Sequence, residues 1–351
     1  MVGAYTRSGD PESTRQVEEY TVKRDALLGL DIGADVITAL LKRDGKLGSV
    51  VEFDNTPEGH RKIVKWVTKK GCQARVCLEA TGVYHLDLAL TLNAQKQIEV
   101  MVVNPLAMRR YAQAQMRRAK TDRVDPQVIL DYLERMPFRV WEPPRRQLFE
   151  LRALARRMYQ LTRDADREKN RRHASVRVRS HDAVIGNDID VNVRHLKRRI
   201  QRLQVRAEEV VQSDVELTER FDRLMSVKGI AEVSAIRILA ELMFLPEDMR
   251  SNQWVAYVGL DPVPNESGKM IRTRRISKKG NKYLRAVLYM PALVAIKYSA
   301  NVKAFYEKLL LRGKAKLQGI VAVMRKLLVA IWGMFKNRQN FDEEKFYKIP
   351  A

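Results

Sequence analysis

Four acidic residues stand where phosphoryl chemistry would need them. Asp31 closes an apolar run, in Leu-Gly-Leu-Asp31-Ile-Gly33, and Glu79 closes another, in Val-Cys-Leu-Glu79-Ala-Thr-Gly82. A carboxylate at the end of a buried strand is unfavourable unless something cationic meets it. Two of them, each followed by a glycine that permits close backbone approach, point to a shared cation. Asp122 and Asp125 lie in Lys120-Thr121-Asp122-Arg123-Val124-Asp125-Pro126, and their i, i+3 spacing puts both on one face of a first helical turn. Hard oxygen donors of this kind suit Mg²⁺. Four of them are enough for two ions about 3.5–4 Å apart, the arrangement used for in-line displacement at phosphorus.

Each carboxylate alone has a plainer role. Asp31 fits a turn, and Asp-x-Gly after a first strand also occurs in sugar-kinase and actin-like ATPases. Asp122 and Asp125 fit helix caps. Their order and the basic neighbours Arg117, Arg118, Lys120 and Arg123 favour the joint reading. Asp35 reads as a turn residue and Asp87 as an exposed helix residue.

The elements that must position these groups follow from the apolar pattern. Leu27–Asp31, Val36–Lys42 and Ser49–Phe53 read as a meander of three strands, with Asp44-Gly45 as a turn. Thr56 as N-cap and Pro57 open a helix that runs to Lys70 and stops at Gly71. Ala74–Leu78 and Glu99–Val103 read as further strands, and Tyr84–Asn93, Leu106–Arg118 and Pro126–Arg135 as helices. The order β-β-β-α-β-α-β-α is a mixed α/β pattern. After Pro143-Pro144, Leu148, Leu151, Ala155, Met158 and Leu161 form one heptad seam and Leu196, Ile200, Leu203, Ala207 and Val210 a second. His173–Asn192, with Gly186-Asn187, shows no such pattern and separates them. Residues 144–210 hold 18 Lys/Arg against 9 Asp/Glu, so the two long helices are basic outside. They suit either an intramolecular hairpin or a subunit contact. Further on, Leu224–Ile230 leading into Ala231–Leu242 resembles a helix-hairpin-helix turn, which offers backbone N–H groups to a phosphate. Trp254–Leu260 is a short apolar run, Pro262–Arg275 a polar loop, and Lys282–Tyr298 and Gly319–Phe335 apolar core helices.

Composition narrows the function. The chain has 351 residues, with 65 Lys/Arg against 42 Asp/Glu for a net charge of +23. That balance calls for a polyanionic partner, nucleic acid before a membrane surface. Cys72 and Cys77 alone do not make a disulfide scaffold and suggest a reducing compartment. Met1–Arg24 reads as a mobile polar tail without a signal-peptide core. No membrane span is expected, because Gly319–Phe335 is cut by Arg325 and Lys326 and is short for a bilayer.

Taken together, Leu-Asp31-Ile-Gly, Leu-Glu79-Ala-Thr-Gly, Asn104-Pro105 and Lys-Thr-Asp122-Arg-Val-Asp125 resemble the DEDD transposases of insertion-sequence family one-ten, with their Piv-type invertase relatives. The resemblance continues in Val227-Lys228-Gly229-Ile230, Tyr257-Val258-Gly259-Leu260, Glu266-Ser267-Gly268 and Ile276-Ser277-Lys278-Lys279-Gly280-Asn281. It spans roughly residues 25 to 340. Pro126 stands where the family commonly has a small residue.

The resemblance implies a RuvC-like, RNase H-type domain over 25–143 and a basic coiled-coil segment over 144–215. A mainly helical transposase domain over 216–351 follows, so the fold class is α/β plus α. It places the catalytic, metal-holding carboxylates at Asp31, Glu79, Asp122 and Asp125 and a nucleophilic serine at Ser267. On its own, Ser267 reads as a turn residue: no His lies in the C-terminal part to act as its base, and a hydroxyl without a base is a poor nucleophile. Ser226, Ser234, Ser251 and Ser277 are the alternative serines.

Arg272, Arg274 and Arg275 would steady phosphate charge, and Lys228, Lys269, Lys278 and Lys279 would join them on nucleic acid. The family picture adds a noncoding guide RNA that pairs with target and donor DNA, so that base pairing reads sequence. The aromatic content of 7% offers no stacking platform for RNA. Two sites acting together imply a dimer or tetramer, with the heptad seams as suitable contacts. The setting implied is the bacterial cytoplasm, at the nucleoid. The expected activity is site-specific DNA recombination or transposition, dependent on Mg²⁺. The alternatives are a RuvC-like structure-specific endonuclease, which would not use Ser267, and a non-catalytic nucleic-acid-binding architectural protein. An actin-like ATPase would need Gly-rich phosphate loops that the sequence does not have.

Overall fold

In the computed structural model, residues 26–80, 84–115, 125–177, 182–263, 266–267, 270–271 and 275–349 are described, with backbone only at 70, 266–267 and 270–271. They divide into two units at Pro143/Pro144.

The N-terminal unit is built on one mixed sheet. Strands β1 (Ala26–Ile32), β2 (Val36–Arg43) and β3 (Lys46–Asp54) form an antiparallel meander. Asp44 and Gly45 both take positive φ, 48° and 76°, as a two-residue hairpin matching the strand twist requires. Helix α1 (Pro57–Val67) follows, capped by the Thr56 hydroxyl, which accepts from Gly59 N. It ends three residues before Lys70, giving way to a 3₁₀ turn, Lys69–Gly71.

Strand β4 (Ala74–Glu79), α2 (Leu86–Asn93), β5 (Ile98–Val103), α3 (Pro105–Ala114) and α4 (Pro126–Arg135) complete the unit. The strand order is β3-β2-β1-β4-β5, with β4 parallel to both β1 and β5. Side chains alternate between the two faces. Leu28, Leu30, Ile32, Val76, Leu78 and Val100 pack with Ile63 and Val67 of α1 and Leu88 and Leu92 of α2. Cys77, Met101 and Val103 pack on the other face with Met108 of α3 and Val128, Ile129 and Leu133 of α4.

The C-terminal unit is helical. Helices α5 (Arg146–Ser175) and α6 (Ala183–Gln212) lie antiparallel along both heptad seams. The sequence reading separates this pair over His173–Asn192. In the structure α6 already starts at Ala183, where the Asp182 carboxylate accepts from Val184 N, and Gly186 is buried within it. Both seams are consumed inside the chain: Leu148, Leu151, Ala155 and Met158 meet Ala207, Val210 and Val211, and Leu161 and Ala165 meet Leu196. Self-association through the coiled coil therefore has only its outer faces to use.

Helices α7 (Val215–Met225), α8 (Glu232–Leu242) and α9 (Ser251–Val258) follow. Two short ladders come next: β6 (Pro262–Val263) with β9 (Arg275–Ile276), and β7 (Glu266–Ser267) with β8 (Met270–Ile271). Helices α10 (Lys282–Tyr298), α11 (Ala300–Leu311), α12 (Lys316–Asn337) and the short α13 (Glu343–Phe346) close the unit. One core holds the bases of α5 and α6 together with α8, α9, α10 and α12. By length and composition α12 is the one helix among the described residues that could cross a membrane, longer than the apolar run read from sequence. Its Val323, Leu327, Leu328 and Ile331 are fully buried in that core.

Candidate functional site

The register of β1 on β4 brings two of the four carboxylates together. The last paired positions are Leu30 and Leu78, and the next residues along the two parallel strands are Asp31 and Glu79. Both sit at the C-terminal end of their strands, where ligands gather in sheets with parallel strands. By alternation both belong to the face that carries α3 and α4. The proximity has an electrostatic signature: burial, and then the charge of Asp31, push the Glu79 carboxyl above its usual range. Two hard oxygen donors that repel each other fit a divalent cation, which would remove the repulsion.

Helix α4 lies directly over this face, and Gly29 makes that possible. A Cβ on Gly29 would sit 2.6 Å from Pro126 O and 2.8 Å from Leu130 N. The first turn of α4 thus rests on β1 two residues before Asp31. Asp125, immediately before that turn, is its N-cap, and its Oδ1 accepts from Gln127 N at 2.9 Å. Asp131 fixes α4 to α3: Tyr111 donates to it at 3.1 Å, and Gln115 and Arg135 also bond it. Asp122 lies outside the described residues, as do Arg117, Arg118, Lys120 and Arg123. Among the described residues no group of three His, Cys, Asp or Glu is close enough to hold a metal ion, so Asp31 and Glu79 are the pair brought together here.

Sequence reasoning passed over Asn55, which ties the two loops after these strands. Its side-chain amide donates to Gly33 O at 2.9 Å and to Tyr84 O at 3.2 Å, and its Oδ1 meets His60 Nε2 at 2.7 Å. His60 is buried, and burial pulls its pKa down against the opposing charge of Asp87. In the sequence, Asn55 is one polar residue ahead of a helix cap, and nothing marks its long-range partners.

In the C-terminal unit Ser267 pairs with Met270 in the short β7–β8 ladder. The base of this hairpin is pinned by residues 261 and 277. Ser277 N donates to Asp261 O at 2.9 Å, and its hydroxyl donates to the Asp261 carboxylate. Two other backbone bonds dock the segment on the end of α9, from Lys278 N to Gly259 O at 3.1 Å and from Asn281 N to Tyr257 O at 2.8 Å. Ser277, one of the alternative serines, is thus occupied as a latch. Ser226 is occupied too, donating to Arg223 O and accepting from Phe341 N.

Arg275, Lys278 and Lys279 are exposed, whereas Lys269, Arg272 and Arg274 lie outside the described residues. Lys228 is bonded to Glu343 at 2.8 Å. Gly229, in the turn read as a phosphate-binding hairpin, has φ +103° and would place a Cβ 2.6 Å from Pro291 O. That glycine faces α10.

A buried ion cluster orients the hairpin's exit. Glu241 on α8 has a side chain 2% exposed and meets Arg152 at 3.0 Å and Arg156 at 2.7 Å, both from α5. It also accepts from the Asn281 amide at 2.7 Å, and Asn281 caps α10 through the N–H groups of Tyr283 and Leu284.

Two family signatures match the chain in order: the DEDD transposase of IS110 type over residues 28–178, and the transposase IS116/IS110/IS902 family over residues 221–307. The chain belongs to the IS110-type DEDD transposases. It is a DNA transposase/recombinase, and DNA is its implied partner. The family implies a divalent metal, for which Asp31 and Glu79 supply fitting donors. Among similar proteins is the pilin gene-inverting protein of Moraxella bovis, 28% identical over 298 residues, or 83% of this chain and 90% of that protein. A probable family 20 transposase of Pseudomonas aeruginosa is 32% identical over 112 residues, 31% of this chain and 33% of that protein. The transposase for insertion sequence element IS1111A of Coxiella burnetii is 26% identical over 137 residues, 38% of each.

Proposed function

We propose that this transposase is a site-specific recombinase that cuts and rejoins DNA through a Mg²⁺-supported carboxylate site and a serine nucleophile, guided by a noncoding RNA. The observation that carries the reading is the side-by-side placement of Asp31 and Glu79 at the ends of parallel strands, with Asp125 at the head of the helix above them. The strand order, with its antiparallel meander and parallel β4 and β5, supports a RuvC-like assignment for the N-terminal unit.

Asp31, Glu79, Asp122 and Asp125 would hold the metal. When bound, a divalent cation supplies positive charge to phosphate oxygens during transfer. The Ser267 hydroxyl would attack a backbone phosphorus. Its oxygen replaces one deoxyribose oxygen, and the proton ends on the released hydroxyl. A phosphodiester is exchanged for a phosphodiester, so bond energy is conserved for rejoining. Arg272, Arg274 and Arg275 would steady the phosphate, with Lys269, Lys278 and Lys279 beside them on the backbone. The guide RNA rests on the family likeness and on the net charge of +23, and the paired chemistry calls for a dimer or tetramer.

The test uses the purified protein with its own element's DNA ends, any co-purifying RNA and Mg²⁺, followed by denaturation. A protein–DNA adduct lost in both Ser267→Ala and Asp31→Ala is expected. Cut DNA without an adduct would make the protein a RuvC-like nuclease instead. Tight binding with neither cutting nor adduct, guide RNA present, would make it an architectural protein.

A further inference from the structure

We propose that the outer face of α6, carrying Arg194, Arg198 and Arg202, is a docking strip for the phosphodiester backbone of a nucleic acid. From Val191 to Ala207 the helix has no acidic residue and six cations: Arg194, Lys197, Arg198, Arg199, Arg202 and Arg206. Helical spacing of 100° per residue puts Arg194, Arg198 and Arg202 on the side opposite Leu196, Ile200, Leu203 and Ala207, the seam that packs on α5. All three arginines are exposed. Arg194 reaches only the backbone oxygen of Asp190, at 3.3 Å, and Arg198 and Arg202 meet no acidic side chain among the described residues.

The far half of the neighbouring helix is built differently. Toward the C-terminal end of α5 three exposed cations carry counter-charges one turn earlier: Lys169 with Asp166 at 3.0 Å, Arg171 with Glu168 at 2.6 Å, and Arg167 with Asp164. That stretch of α5 is internally paired, whereas the Val191–Ala207 stretch of α6 has no acid of its own. A second copy of this chain is a poor occupant for the strip, because its own strip would bring arginines against arginines. A polyanion is the fitting one. At about 1.5 Å per residue the three arginines span about 12 Å, the axial length of three to four phosphates of one strand at about 3.4 Å each. Contacts to the backbone position a nucleic acid without reading its sequence.

The inference rests on the nucleic-acid reading above, but on neither the carboxylates nor Ser267. The test is the salt dependence of binding by the full chain to a short random-sequence DNA duplex and to an unpaired RNA strand of similar length. Wild type is compared with the triple variant Arg194→Gln/Arg198→Gln/Arg202→Gln, and with an α5 control, Arg167→Gln/Lys169→Gln/Arg171→Gln. Glutamine keeps helix propensity, and melting curves check the fold.

Each phosphate contact contributes about 0.9 to the slope of log K against log salt for duplex DNA and about 0.7 for single strands. The α6 variant should lower the slope by about 2.7 on duplex or about 2 on unpaired RNA. At the duplex value, wild type would lose about 40-fold more affinity than the variant between 50 and 200 mM salt. The probe with the larger change identifies which nucleic acid the strip holds. An unchanged slope overturns the proposal and leaves the recombinase reading standing. An equal loss in the α5 control also overturns it, since net charge alone would then be responsible. An altered oligomeric state with an unmoved slope would make the face a subunit contact. No binding of either probe by wild type would sink both readings.

Discussion

Replacing Gly29 by alanine tests the packing that sets α4 over the site. The new Cβ would lie 2.6 Å from Pro126 O, 2.8 Å from Leu130 N and 3.1 Å from Leu130 Cα. All three are backbone atoms, so no side chain can swing away. Reaching ordinary contact at 3.4 Å requires strand and helix to part by about 0.8 Å. Overpacking of this kind costs about 1–3 kcal/mol, and each kcal/mol lowers Tm by roughly 2–8 °C in a domain of this size. The displacement separates Asp31 on β1 from Asp125 at the head of α4. Metal sites tolerate only about 0.2 Å of ligand displacement, so a shift of this size weakens the site as an outer-shell change does, by about 10–100-fold. Chemical denaturation should report the stability loss, and a Mg²⁺ titration of adduct formation should report the second effect. Unchanged stability would refute the close approach. Lower stability with unchanged Mg²⁺ demand would refute the role given to Asp125.

Four further outcomes are expected. Asp31→Asn should abolish adduct formation and lower the Glu79 carboxyl pKa, because it removes the charge that helps push it up; a carboxyl titration followed by NMR in EDTA decides. Glu241→Gln strands Arg152 and Arg156 and should destabilise the C-terminal unit by about 3–5 kcal/mol, read by urea unfolding. Burial alone would raise the Glu241 carboxyl, but Arg156, Arg152 and Asn281 hold it below the usual range. Its stabilisation is therefore fully present above the unfolded carboxyl pKa of about 4.3 and is lost as pH falls through the lower folded value; the acid limb of wild type should be steeper than that of Glu241→Gln. Asn55→Ala frees Gly33 O and Tyr84 O and should cut the adduct-forming rate more than it lowers Tm, with single-turnover kinetics as the check. Ser277→Ala should retain adduct formation at a reduced rate, since Ser277 is a latch; complete loss of the adduct, with Ser267→Ala retaining it, would exchange the two roles.

Local signals made much of the fold legible. Asp44-Gly45 announced a hairpin because only a few residues accept positive φ at both turn positions. The carboxylates after apolar runs announced strand ends, since an acid inside a strand buried on both faces would have no partner. What stayed hidden depends on partners distant in sequence. Gly29 reads as one more small residue in an apolar run until Pro126 is placed above it. Glu241 reads as a polar member of an apolar helix, and its two arginines lie more than eighty residues earlier. His173–Asn192 shows no heptad pattern and holds Gly186-Asn187, and glycine disfavours helix interiors; yet α6 starts at Ala183 on the Asp182 cap, with Gly186 buried. Helix α12 extends past the apolar run Gly319–Phe335 at both ends, through Lys316–Gln318 and Lys336–Asn337, because polar residues carry no apolar periodicity. Lys326, inside the run, lies over the rings of Phe305 and Phe346, at 4.4 and 5.0 Å.

The α5–α6 pair has a mechanical consequence. Its base is set in the core as far as Met158; beyond that, among the described residues, Leu161, Ala165 and Leu196, with Ile200 and Leu203 beside them, form a smaller cluster between the helices, and Arg172 meets Asp190 at 3.1 Å. From Met158 to Ser175, α5 extends about 25 Å past that anchorage. The arm is a cantilever, stiff where it is clamped and compliant toward its end. A tilt of about 5° at the base moves the tip by about 2 Å over this length, and a load on the tip returns as torque on Arg152, Arg156 and the Glu241 node that leads to the hairpin of Ser267. Amide exchange along α5 and α6 should accordingly rise steadily from the clamped end outward, and Glu241→Gln should steepen that gradient at its base.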